Sequence, residues 1–419
     1  MKQILVAGCG PAGMMAGIAA ARAGASVTIL EGMEKPGKKL LLTGNGKCNL
    51  TNLDPELVNK YHSVGREKVN LIPWIQEAMS GFSVSDTLHF FQELGLLTAR
   101  RSGYVYPYTG QSSSVLEILL AELKRLKVKL KFNERIDTIQ KIPDGWRVST
   151  AGWNYRCDAL ILCCGSKAAP NTGSDGSGYR LSEQAGHTIT PVVPALTALT
   201  GKGRSFSSCA GVRCQARVAL FTENDSSCLE FAGEERGELQ WTEKGISGIV
   251  VFQLSRMAAL ALEKGKRVRA ELDFLPDTEE YQLEQLLSRQ KDRYPQVAVG
   301  EVLSGLLPKK LLLFCLDQNK IKSGSPMNTV TEEKMQKLAE TMKHFSLSIT
   351  GTRSFDQCQV CAGGVPLEEV HAKTLESKLA AGLYFAGELL DVDGPCGGYN
   401  LQWAWSSGYT AGIHAAEIV

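Results

Sequence analysis

The beginning of the chain constrains its fold most strongly, because three different elements follow one another there without a break. The segment QILVAG is typical of a buried strand, PAGMMAGIAAARAG of a helix of small residues that ends at Gly24, and SVTILE of a second strand. This order predicts a βαβ unit with a right-handed crossover and a parallel sheet. Further on, VKLKF, GWRVST and CDALILCCGS predict strands that fit around this sheet, so we expect an α/β core.

Three glycines mark the junction between the first strand and the helix. Gly8, Gly10 and Gly13 have GxGxxG spacing, in which the first permits a tight turn, the second lets the backbone approach a pyrophosphate, and the third allows close packing of helix on strand. Glu31 ends the second strand, where its carboxylate can accept hydrogen bonds from an adenosine ribose. Because that carboxylate would repel a 2′-phosphate, the pattern predicts NAD or FAD rather than NADP. Glycines used only for packing are the alternative.

The middle of the chain follows a different pattern. From TPVVPALTAL onward, alternating segments such as VRCQARVALF and CLEFAGEERGELQWT, the latter with a turn near Gly233 to Gly237, predict an antiparallel barrel or sandwich inserted after about residue 190. Residues 277–344 have helical periodicity and predict a small helical subdomain within the insertion. The α/β pattern returns with LYFAGEL and a last helix from about Tyr399 to the end of the sequence.

The composition limits the partners that the protein can have. With 419 residues, of which 43% are hydrophobic, the chain can bury a large core and form two or three domains. Its basic residues are scattered and the formal net charge is +2, which argues against nucleic acid or an anionic membrane as a partner. The start lacks a signal-peptide pattern and the apolar runs are shorter than the roughly 18 residues of a membrane span, so we expect a cytoplasmic protein. The oligomeric state stays open.

The cysteines indicate free thiols in a reducing compartment. There are twelve of them at irregular spacings, which does not fit a disulfide framework. Cys358 and Cys361 form the one CxxC motif, and no second pair completes a tetrahedral zinc site. We therefore expect these two to be buried structural thiols, with redox or metal chemistry as the alternative. The six histidines stand singly, so no metal site is predicted.

Several segments resemble those of one protein family. The stretch GKKLLLTGNGKCNLTN is rich in glycine and asparagine, which predicts a loop around a long ligand rather than a helix. Together with ALILCCGSKAAPNTGSDGSGY, TEKGISG, AGGV and ESKLAAGLYFAGELLDVDGPCGGYNLQWAWSSG, it resembles the BaiN-like FAD-dependent oxidoreductases, a group that includes aminoacetone-oxidase-like flavoproteins. The likeness covers the whole chain in order. Two departures are CCGS, where family members commonly have two glycines, and Cys396, where the family often has Thr.

The resemblance implies FAD as the cofactor and NAD(P)H as a transient donor. It implies an α/β fold with a Rossmann-like FAD-binding domain in two pieces, 1–190 and 356–419, an inserted β-barrel-like domain over 191–276 and 345–355, and a small helical subdomain over 277–344. The residues expected to bind the cofactor lie in the glycine-rich loops, at strand ends and at the start of the last helix: Gly8, Gly10, Pro11, Ala12, Gly13, Glu31, Gly32, Lys39, Gly44, Gly46, Cys48, Asn49, Gly165, Gly387, Glu388, Gly397, Gly398, Tyr399, Asn400 and Leu401.

The C-terminal loop combines a strand end with a helix start. LYFAGE predicts a strand and a tight turn that presents Glu388 at the carboxyl end of the sheet, where α/β folds bind ligands. Gly397 and Gly398 would let a flat ring approach their backbone, and the amides of the following helix would favour negative charge on a reduced flavin. An exposed turn acid and an uncapped helix start are the alternatives.

Three residues near this loop are candidates for proton transfer. Asp391 and Asp393 would position the substrate or relay a proton, although each is equally suited to an Asx turn that bonds its own backbone. Tyr399 offers a phenol at the same place, with a packing role as its alternative. Trp403 and Trp405 lie two residues apart on the predicted helix and cannot both face a flavin, so at least one belongs to the core.

These expectations lead to one main functional hypothesis. FAD would accept hydride from NAD(P)H and pass it to a small organic substrate, and the resemblance suggests the activated C=C bond of an oxo-bile-acid or steroid-like enone. The same resemblance includes amine oxidation with O₂, so an FAD-dependent amine oxidase is one alternative. A non-catalytic redox-sensing flavoprotein and a thiol–disulfide relay through Cys358 and Cys361 are the others.

Overall fold

The computed structural model describes residues 1–202 and 206–417. The α-helices are α1 (Pro11–Arg22), α2 (Lys38–Leu42), α3 (Lys68–Met79), α4 (Val84–Glu93), α5 (Ser112–Arg125), α6 (Ser177–Gln184), α7 (Phe206–Cys209), α8 (Ile249–Glu263), α9 (Glu280–Arg293), α10 (Val299–Val302), α11 (Lys309–Gln318), α12 (Glu332–Lys343) and α13 (Tyr399–Ala416). Short 3₁₀ helices occupy Thr43–Gly46, Leu57–Lys60, Pro170–Thr172, Met327–Thr329, Phe355–Gln357, Leu367–Glu369 and Gly387–Leu389. The last two residues of the predicted C-terminal helix, 418 and 419, lie outside the described residues.

The strands are β1 (Gln3–Ala7), β2 (Ser26–Glu31), β3 (Thr51–Asn52), β4 (Thr98–Arg101), β5 (Tyr104–Pro107), β6 (Lys129–Phe132), β7 (Ile136–Ile142), β8 (Gly145–Thr150), β9 (Asn154–Cys157), β10 (Ala159–Leu162), β11 (Val193–Ala195), β12 (Leu199–Gly201), β13 (Arg213–Glu223), β14 (Leu229–Thr242), β15 (Gly245–Ser247), β16 (Val268–Asp273), β17 (Phe345–Thr352), β18 (Val360–Ala362) and β19 (Leu383–Phe385). The residues separate into two compact units, Met1–Val193 with Phe355–Val419, and Pro194–Ser354. The predicted α/β class with a barrel-like insertion is confirmed, whereas the predicted domain boundaries stay predictions.

A parallel sheet of five strands forms the centre of the first unit, in the order β19-β10-β1-β2-β6. Its middle strand, β1, pairs with β10 on one side and β2 on the other, and its last four residues are buried, as expected for a strand that is covered on both faces. Because all five strands run the same way, their carboxyl ends lie along one edge. Gly8, Glu31 and Gly387 follow or end three of these strands and so come to the same edge of the sheet.

Two small antiparallel sheets, β3-β5-β4 and β7-β8-β9, accompany the parallel sheet in the first unit. VKLKF contributes β6 and CDALILCCGS contributes β10 to the parallel sheet, as predicted. GWRVST also forms a strand, β8, which lies between β7 and β9 in a small antiparallel sheet and not in the parallel sheet. These neighbours adjoin β8 through short connections, which permit antiparallel hairpins but are too short for a parallel crossover.

Small residues allow α13 to run close beside α1. A Cβ atom at Gly408 would lie 2.4 Å from the carbonyl oxygen of Ala12, and one at Gly412 would lie 2.4 Å from that of Ala16. The two helices therefore run in the same direction with their N-termini at the same end. Since α13 begins nine residues before Gly408, its start extends beyond that of α1 by about 12 Å at the usual helical rise.

The second unit is a closed antiparallel barrel in the order β12-β15-β14-β13-β16-β17, and helices α9 to α12 fall within 277–344. The predicted turn near Gly233 to Gly237 was wrong. Residues 229–242 form one strand, β14, which pairs with β13 along its length, and Asn224 closes the hairpin by accepting a hydrogen bond from Cys228. Gly233 lies instead beside the register shift at Leu220, where a glycine fits a bulge in a continuous strand.

A buried ion pair links β16 and α12 inside the second unit. The Nζ atom of Lys343 donates to the Asp273 carboxylate at 2.7 Å, and also to the carbonyl oxygens of Leu275 at 2.9 Å and Thr278 at 2.5 Å. Lys343 and Asp273 are 7% and 4% exposed, and the Arg217 guanidinium lies further from the same carboxylate, at 3.9 Å, so Lys343 is the main compensation for the Asp273 charge. In the part of the chain that the structure describes, no helix has the length and apolar character needed to cross a bilayer.

Candidate functional site

The glycine loop between β1 and α1 is built by close backbone contacts. Gly8 has φ of +99°, and its amide donates to the carbonyl oxygen of Leu30 on β2 at 2.7 Å. A Cβ atom at Gly13 would lie 1.9 Å from the carbonyl oxygen of Gly8, so the helix can meet the loop only if residue 13 is glycine, and a Cβ at Gly8 would lie 2.6 Å from the carbonyl oxygen of Cys163. Gly10 differs, because no atom lies within 4 Å of the position of its Cβ. Its open face is where a ligand would find room.

The start of α1 faces this open space. Gly10 is the N-cap residue, Pro11 and Ala12 follow in the first turn, and no side chain caps the helix. Backbone amides of a helix point toward its N-terminus, where they carry part of a positive charge. The geometry of the loop is therefore compatible with the predicted pyrophosphate contacts.

Glu31 lies directly beneath the glycine loop. Its carboxylate accepts hydrogen bonds from the amide of Cys9 at 2.7 Å and from that of Met33 at 2.9 Å, one on each oxygen. A carboxylate oxygen has further lone pairs, so both oxygens remain able to accept ribose hydroxyl groups. The predicted Gly32 follows at the end of the strand, with the position of its Cβ 3.6 Å from the side chain of Arg135.

A polar cleft that the sequence motifs did not reveal lies near Glu31. It has a volume of about 250 Å³ and is lined by Arg135, Asp175, Gly176, Ser177 and Arg180. Arg135 and Asp175 form an ion pair across it. Glu134, adjacent to Arg135, donates its amide to the carbonyl oxygen of Glu31 at 2.9 Å, which places the cleft beside the end of β2. No pattern marks these residues, because they come from two segments about 40 positions apart.

The segment GKKLLLTGNGKCNLTN is partly helical, so the prediction of a loop without helix was wrong for its first part. Residues 38–42 form α2, because Leu40 is fully buried in the core and anchors a single turn. The rest contains the short 3₁₀ helix Thr43–Gly46 and the two-residue strand β3, with positive φ at Gly44, Gly46 and Cys48. Burial raises the pKa of the Cys48 thiol to about 12, so it remains protonated.

Asn49 ends this segment with an unusual side chain. It is 9% exposed, and its Oδ1 atom is buried with no hydrogen-bond partner among the residues that the structure describes. An unpaired buried acceptor costs free energy unless a ligand or water supplies a donor. Among the residues predicted to bind the cofactor, Asn49 therefore offers a buried side-chain acceptor that a ligand could satisfy.

Lys39 and Glu388 form the charged end of the site. The Nζ atom of Lys39 lies 2.5 Å from Oε2 of Glu388, and the Ser166 hydroxyl donates to the same oxygen at 3.0 Å. Glu388 follows β19 in a 3₁₀ turn that begins at Gly387, whose φ is +70°. The Glu388 side chain is one-fifth exposed, so it is not merely a solvated turn acid. Gly165, adjacent to Ser166, has φ of +74°.

The start of α13 is held by several loops. Gly398 has φ of +95°, and a Cβ there would lie 2.6 Å from the carbonyl carbon of Thr51. The carbonyl oxygen of Gly397 accepts a hydrogen bond from Asn52 at 2.8 Å. The Asn400 side chain accepts from the amide of Gly394 and donates to its carbonyl oxygen, which closes the loop onto the helix. No side chain caps α13, whose first residues include Tyr399, Asn400 and the largely buried Leu401.

The two tryptophans belong to the core. Trp403 and Trp405 are both fully buried. The indole N–H of Trp403 donates to the carbonyl oxygen of Gly387, and that of Trp405 donates to the carbonyl oxygen of Leu50, each at 3.0 Å. The acidic, glycine-rich loop therefore leads directly into α13. The two indoles of this helix hold it by hydrogen bonds to Gly387, just before Glu388, and to Leu50, just after Asn49.

The aspartates predicted for proton transfer are engaged with another loop. Asp391 is fully buried, and its carboxylate accepts hydrogen bonds from the Ser63 hydroxyl and from the amides of Val64 and Gly65, at 2.7 to 3.0 Å. Asp393, which is 3% exposed, exchanges two backbone hydrogen bonds with His62. Asp391 thus accepts hydrogen bonds from a distant loop, whereas the carboxylate of an Asx turn would accept them from its own neighbouring backbone.

Tyr399 has the most suitable environment of the three candidates. Its hydroxyl donates to the Asp54 carboxylate at 2.8 Å, and its carbonyl oxygen accepts from the Tyr61 hydroxyl at 2.8 Å. Burial and the hydrogen bond to Asp54 raise the pKa of Tyr399 well above its usual value. The phenol therefore stays protonated at neutral pH. Asp54 was not recognised from the sequence, because it lies 345 residues away.

These features fit an FAD molecule. The open face at Gly10 and the start of α1 suit the pyrophosphate, and Glu31 suits the ribose next to it. The start of α13 provides a second helix N-terminus about 12 Å further along the same direction, a separation that a ribityl chain can bridge. The orphaned acceptor of Asn49 lies in the loop that the family resemblance assigns to the cofactor.

Comparisons with known proteins agree with this assignment. A family model described as the HI0933-like protein Rossmann domain matches residues 2–414. The chain is 43% identical over 419 residues to the 3-dehydro-bile acid delta(4,6)-reductase of Clostridium scindens, covering 100% of both chains. It is 26% identical over 416 residues to the ribosomal RNA dihydrouridine synthase of Haemophilus influenzae, covering 98% of this chain and 97% of that one.

Among solved structures, a 3-ketosteroid-delta4-(5alpha)-dehydrogenase from Rhodococcus jostii RHA1 is 14% identical, with a TM-score of 0.49 and coverage of 100% of this chain and 97% of that chain. The family match and the full-length relative at 43% identity carry the assignment. The chain belongs to the HI0933-like family and is a BaiN-like, FAD-dependent oxidoreductase.

Proposed function

We propose that the protein is a reductase that uses NAD(P)H and FAD to saturate a C=C bond conjugated to a carbonyl group, with an oxo-bile-acid or steroid-like enone as its substrate. The main support is the 43% identity, over the full length of both chains, to a relative named as a 3-dehydro-bile acid delta(4,6)-reductase. Support from the geometry comes from the site itself, where glycine loops, two helix N-termini and a buried tyrosine meet.

Some residues of the site would bind FAD, and others would supply a proton to the substrate. FAD, when bound, carries hydride from the donor to the substrate. Glu31, the start of α1 and Asn49 would hold it, with Lys39 and Glu388 at the charged end. The start of α13 would supply positive potential, because an uncapped helix N-terminus carries roughly half a unit charge. Asp391 would hold the 63–65 loop in place rather than transfer protons, since its carboxylate already accepts hydrogen bonds from that loop.

Saturation of an enone also needs a proton at the carbon next to the carbonyl, and we assign its delivery to Tyr399. Its hydroxyl is protonated at neutral pH and donates to Asp54 in this structure, so it must turn from Asp54 toward the substrate to deliver its single proton. Asp54 is therefore a positioning residue, whereas Tyr399 would contact the substrate. A general acid of this kind contributes typically 10²-fold or more to the rate.

The first test is the reaction with the donor. Mixing the purified holoprotein anaerobically with NADH or NADPH in a stopped-flow instrument is expected to bleach the flavin absorbance bands, and adding a steroid-like 4-en-3-one is expected to restore them. Bleaching by neither donor would reject the reductase. Bleaching by an amine, with recovery in O₂, would support the amine oxidase, and no bleaching by any substrate would support a redox-sensing flavoprotein.

A second prediction concerns Tyr399→Phe. We expect reoxidation of the reduced enzyme by the enone to slow about 100-fold, while reduction by NAD(P)H changes less than about twofold. The control is Tyr61→Phe, which removes a neighbouring hydroxyl whose bond is to the backbone of Tyr399. Single-turnover rates for each half-reaction separate the two effects. Equal reoxidation rates in Tyr399→Phe and the wild type would exclude Tyr399 as the proton donor.

The relatives named as ribosomal RNA dihydrouridine synthases support a second candidate substrate. They match 97–98% of this chain at 26% identity, and dihydrouridine also arises by saturation of a C=C bond conjugated to a carbonyl group. The net charge of +2 with scattered basic residues weighs against RNA. Reoxidation of the reduced enzyme by ribosomal RNA transcripts, and not by an enone, would favour this candidate.

A further inference from the structure

The CxxC motif joins two thiols that the proposed reaction does not use. Cys358 follows the 3₁₀ helix Phe355–Gln357, and Cys361 lies in β18. They are 3% and 5% exposed and pack with Ala168 in a small cluster. The Cys358 thiol donates to the carbonyl oxygen of Phe355 at 3.4 Å, and the Cys358 and Cys361 sulfur atoms are also within hydrogen-bonding reach of each other. The turn that carries them is at the surface, because Gln357 and Gln359 are exposed.

The pair is connected to the charged end of the cofactor site. Cys361 is hydrogen-bonded to Ser166, whose hydroxyl donates to Glu388 at 3.0 Å. Glu388 in turn pairs with Lys39 at 2.5 Å. A continuous array of polar contacts therefore runs from Cys358 to Lys39, so a change of state at the thiols reaches residues that are proposed to hold FAD.

The two thiols differ in acidity. The hydrogen bond with Cys358 lowers the pKa of Cys361, whereas the positive charge of Lys39 lowers the pKa of both thiols. The same hydrogen bond, together with burial, raises the pKa of Cys358. Burial alone dominates at Cys163, whose pKa is raised. Such an asymmetry between neighbouring thiols is typical of an attacking and a resolving cysteine.

A tyrosine hydroxyl completes the cluster. Tyr179 is 5% exposed, and its hydroxyl is buried without a hydrogen-bond partner in residues 1–202 and 206–417. Burial raises the pKa of Tyr179, and the charge of Cys361 raises it further. The hydroxyl thus remains protonated, and among the described residues it has no hydrogen-bond partner, so a donor is available in the same electrostatic environment as the two thiols.

We propose that Cys358 and Cys361 are a redox-active dithiol, which a low-molecular-weight disulfide converts to an intramolecular disulfide beside the cofactor site. The Cys361 thiolate attacks one sulfur of the small disulfide, whose S–S bond breaks and releases a thiolate that takes up a proton. Cys358 then loses its proton, and its sulfur attacks Sγ of Cys361 and displaces the second thiolate, which is also protonated. The protein dithiol loses two electrons, and the small disulfide becomes two thiols.

The test uses the holoprotein and oxidised glutathione. Cleavage after Arg353 and Lys373 releases a peptide, residues 354–373, that contains these two cysteines and no others. The protein is equilibrated anaerobically with graded ratios of oxidised to reduced glutathione, acid-quenched, alkylated, digested and weighed. We expect this peptide to lose both alkylation sites together and to be two hydrogens lighter than the dithiol, reversibly on return to reduced glutathione.

Internal and variant controls make the result specific. The adjacent pair Cys163 and Cys164 is expected to stay alkylated in the same samples. Cys358→Ser removes the resolving thiol, so Cys361 is expected to retain a glutathione adduct, whereas Cys228→Ser, which changes an exposed thiol elsewhere, behaves as the wild type. Full alkylation of the wild-type peptide 354–373 at the highest ratio, or equal oxidation of the Cys163 peptide, would overturn the proposal. The mass measurement needs neither NAD(P)H nor an enone, so its result does not depend on whether the protein has the proposed reductase activity.

Discussion

Gly13→Ala is expected to yield a protein that is purified without FAD and binds the added cofactor roughly 10³-fold more weakly, a loss of about 4 kcal/mol. The reason is steric. The new Cβ would lie 1.9 Å from the carbonyl oxygen of Gly8 and 3.0 Å from its carbonyl carbon, both of them backbone atoms that cannot rotate away. Either the glycine loop or the start of α1 must move, and both are proposed to contact the pyrophosphate. The measurements are flavin absorbance per chain and titration of the apoprotein with FAD.

The matched control is Gly152→Ala. Gly152 lies in the same unit, has no atom within 4 Å of the position of its Cβ and does not have positive φ, so its substitution is expected to change neither folding nor FAD content. Circular dichroism of both variants separates loss of cofactor from loss of fold. Recovery of Gly13→Ala with wild-type FAD content and an unchanged dissociation constant would refute the placement of the cofactor at this loop.

Lys343→Met is expected to lower the free energy of unfolding of the second unit by about 3–5 kcal/mol. The substitution keeps the apolar stem but removes the ammonium group that compensates the buried Asp273 carboxylate. It also leaves the carbonyl oxygens of Leu275 and Thr278 without this donor. Removing one partner of a buried pair costs more than the pair contributes, because the remaining charge stays desolvated. Urea unfolding, followed by circular dichroism, measures the change.

Two further variants identify the cause. Lys343→Met combined with Asp273→Leu removes both charges and is expected to recover most of the lost stability. Lys337→Met breaks an exposed pair between Lys337 and Glu333, whose side chains are 59% and 75% exposed, and is expected to leave the free energy of unfolding nearly unchanged. If Lys343→Met were no more destabilising than Lys337→Met, the buried pair would not contribute as described.

The parts of the fold that were predicted correctly depend on short stretches of sequence. Residues 3–31 were assigned as strand, helix and strand because apolar runs, small residues and glycines follow one another within a few positions. The barrel-like pattern was recognised from alternation along β13 and β14. The turn placed at Gly233 to Gly237 was wrong, because a glycine fits both a turn and a bulge, and only the pairing partner across the sheet distinguishes the two.

In the candidate site, too, residues in short motifs were predicted, whereas contacts between distant residues were not. Gly8, Gly13 and Glu31 were found by spacing alone, since the loop and the strand end that they form are local. Asp54 was missed because its relation to Tyr399 spans 345 residues, and the polar cleft at Arg135 was missed for the same reason. The structure also defined the roles of three residues, because Asp391 holds the 63–65 loop and the indoles of Trp403 and Trp405 are both buried.

Local pattern was enough to establish an α/β chain with a dinucleotide loop, because secondary structure and glycine-dependent turns follow from residues that are neighbours along the backbone. Folding alone brought Lys39 to Glu388, Cys361 to Ser166 and Tyr399 to Asp54. Those contacts arise where the ends of distant strands and helices meet, and their geometry depends on how the buried faces pack, which no short segment encodes by itself.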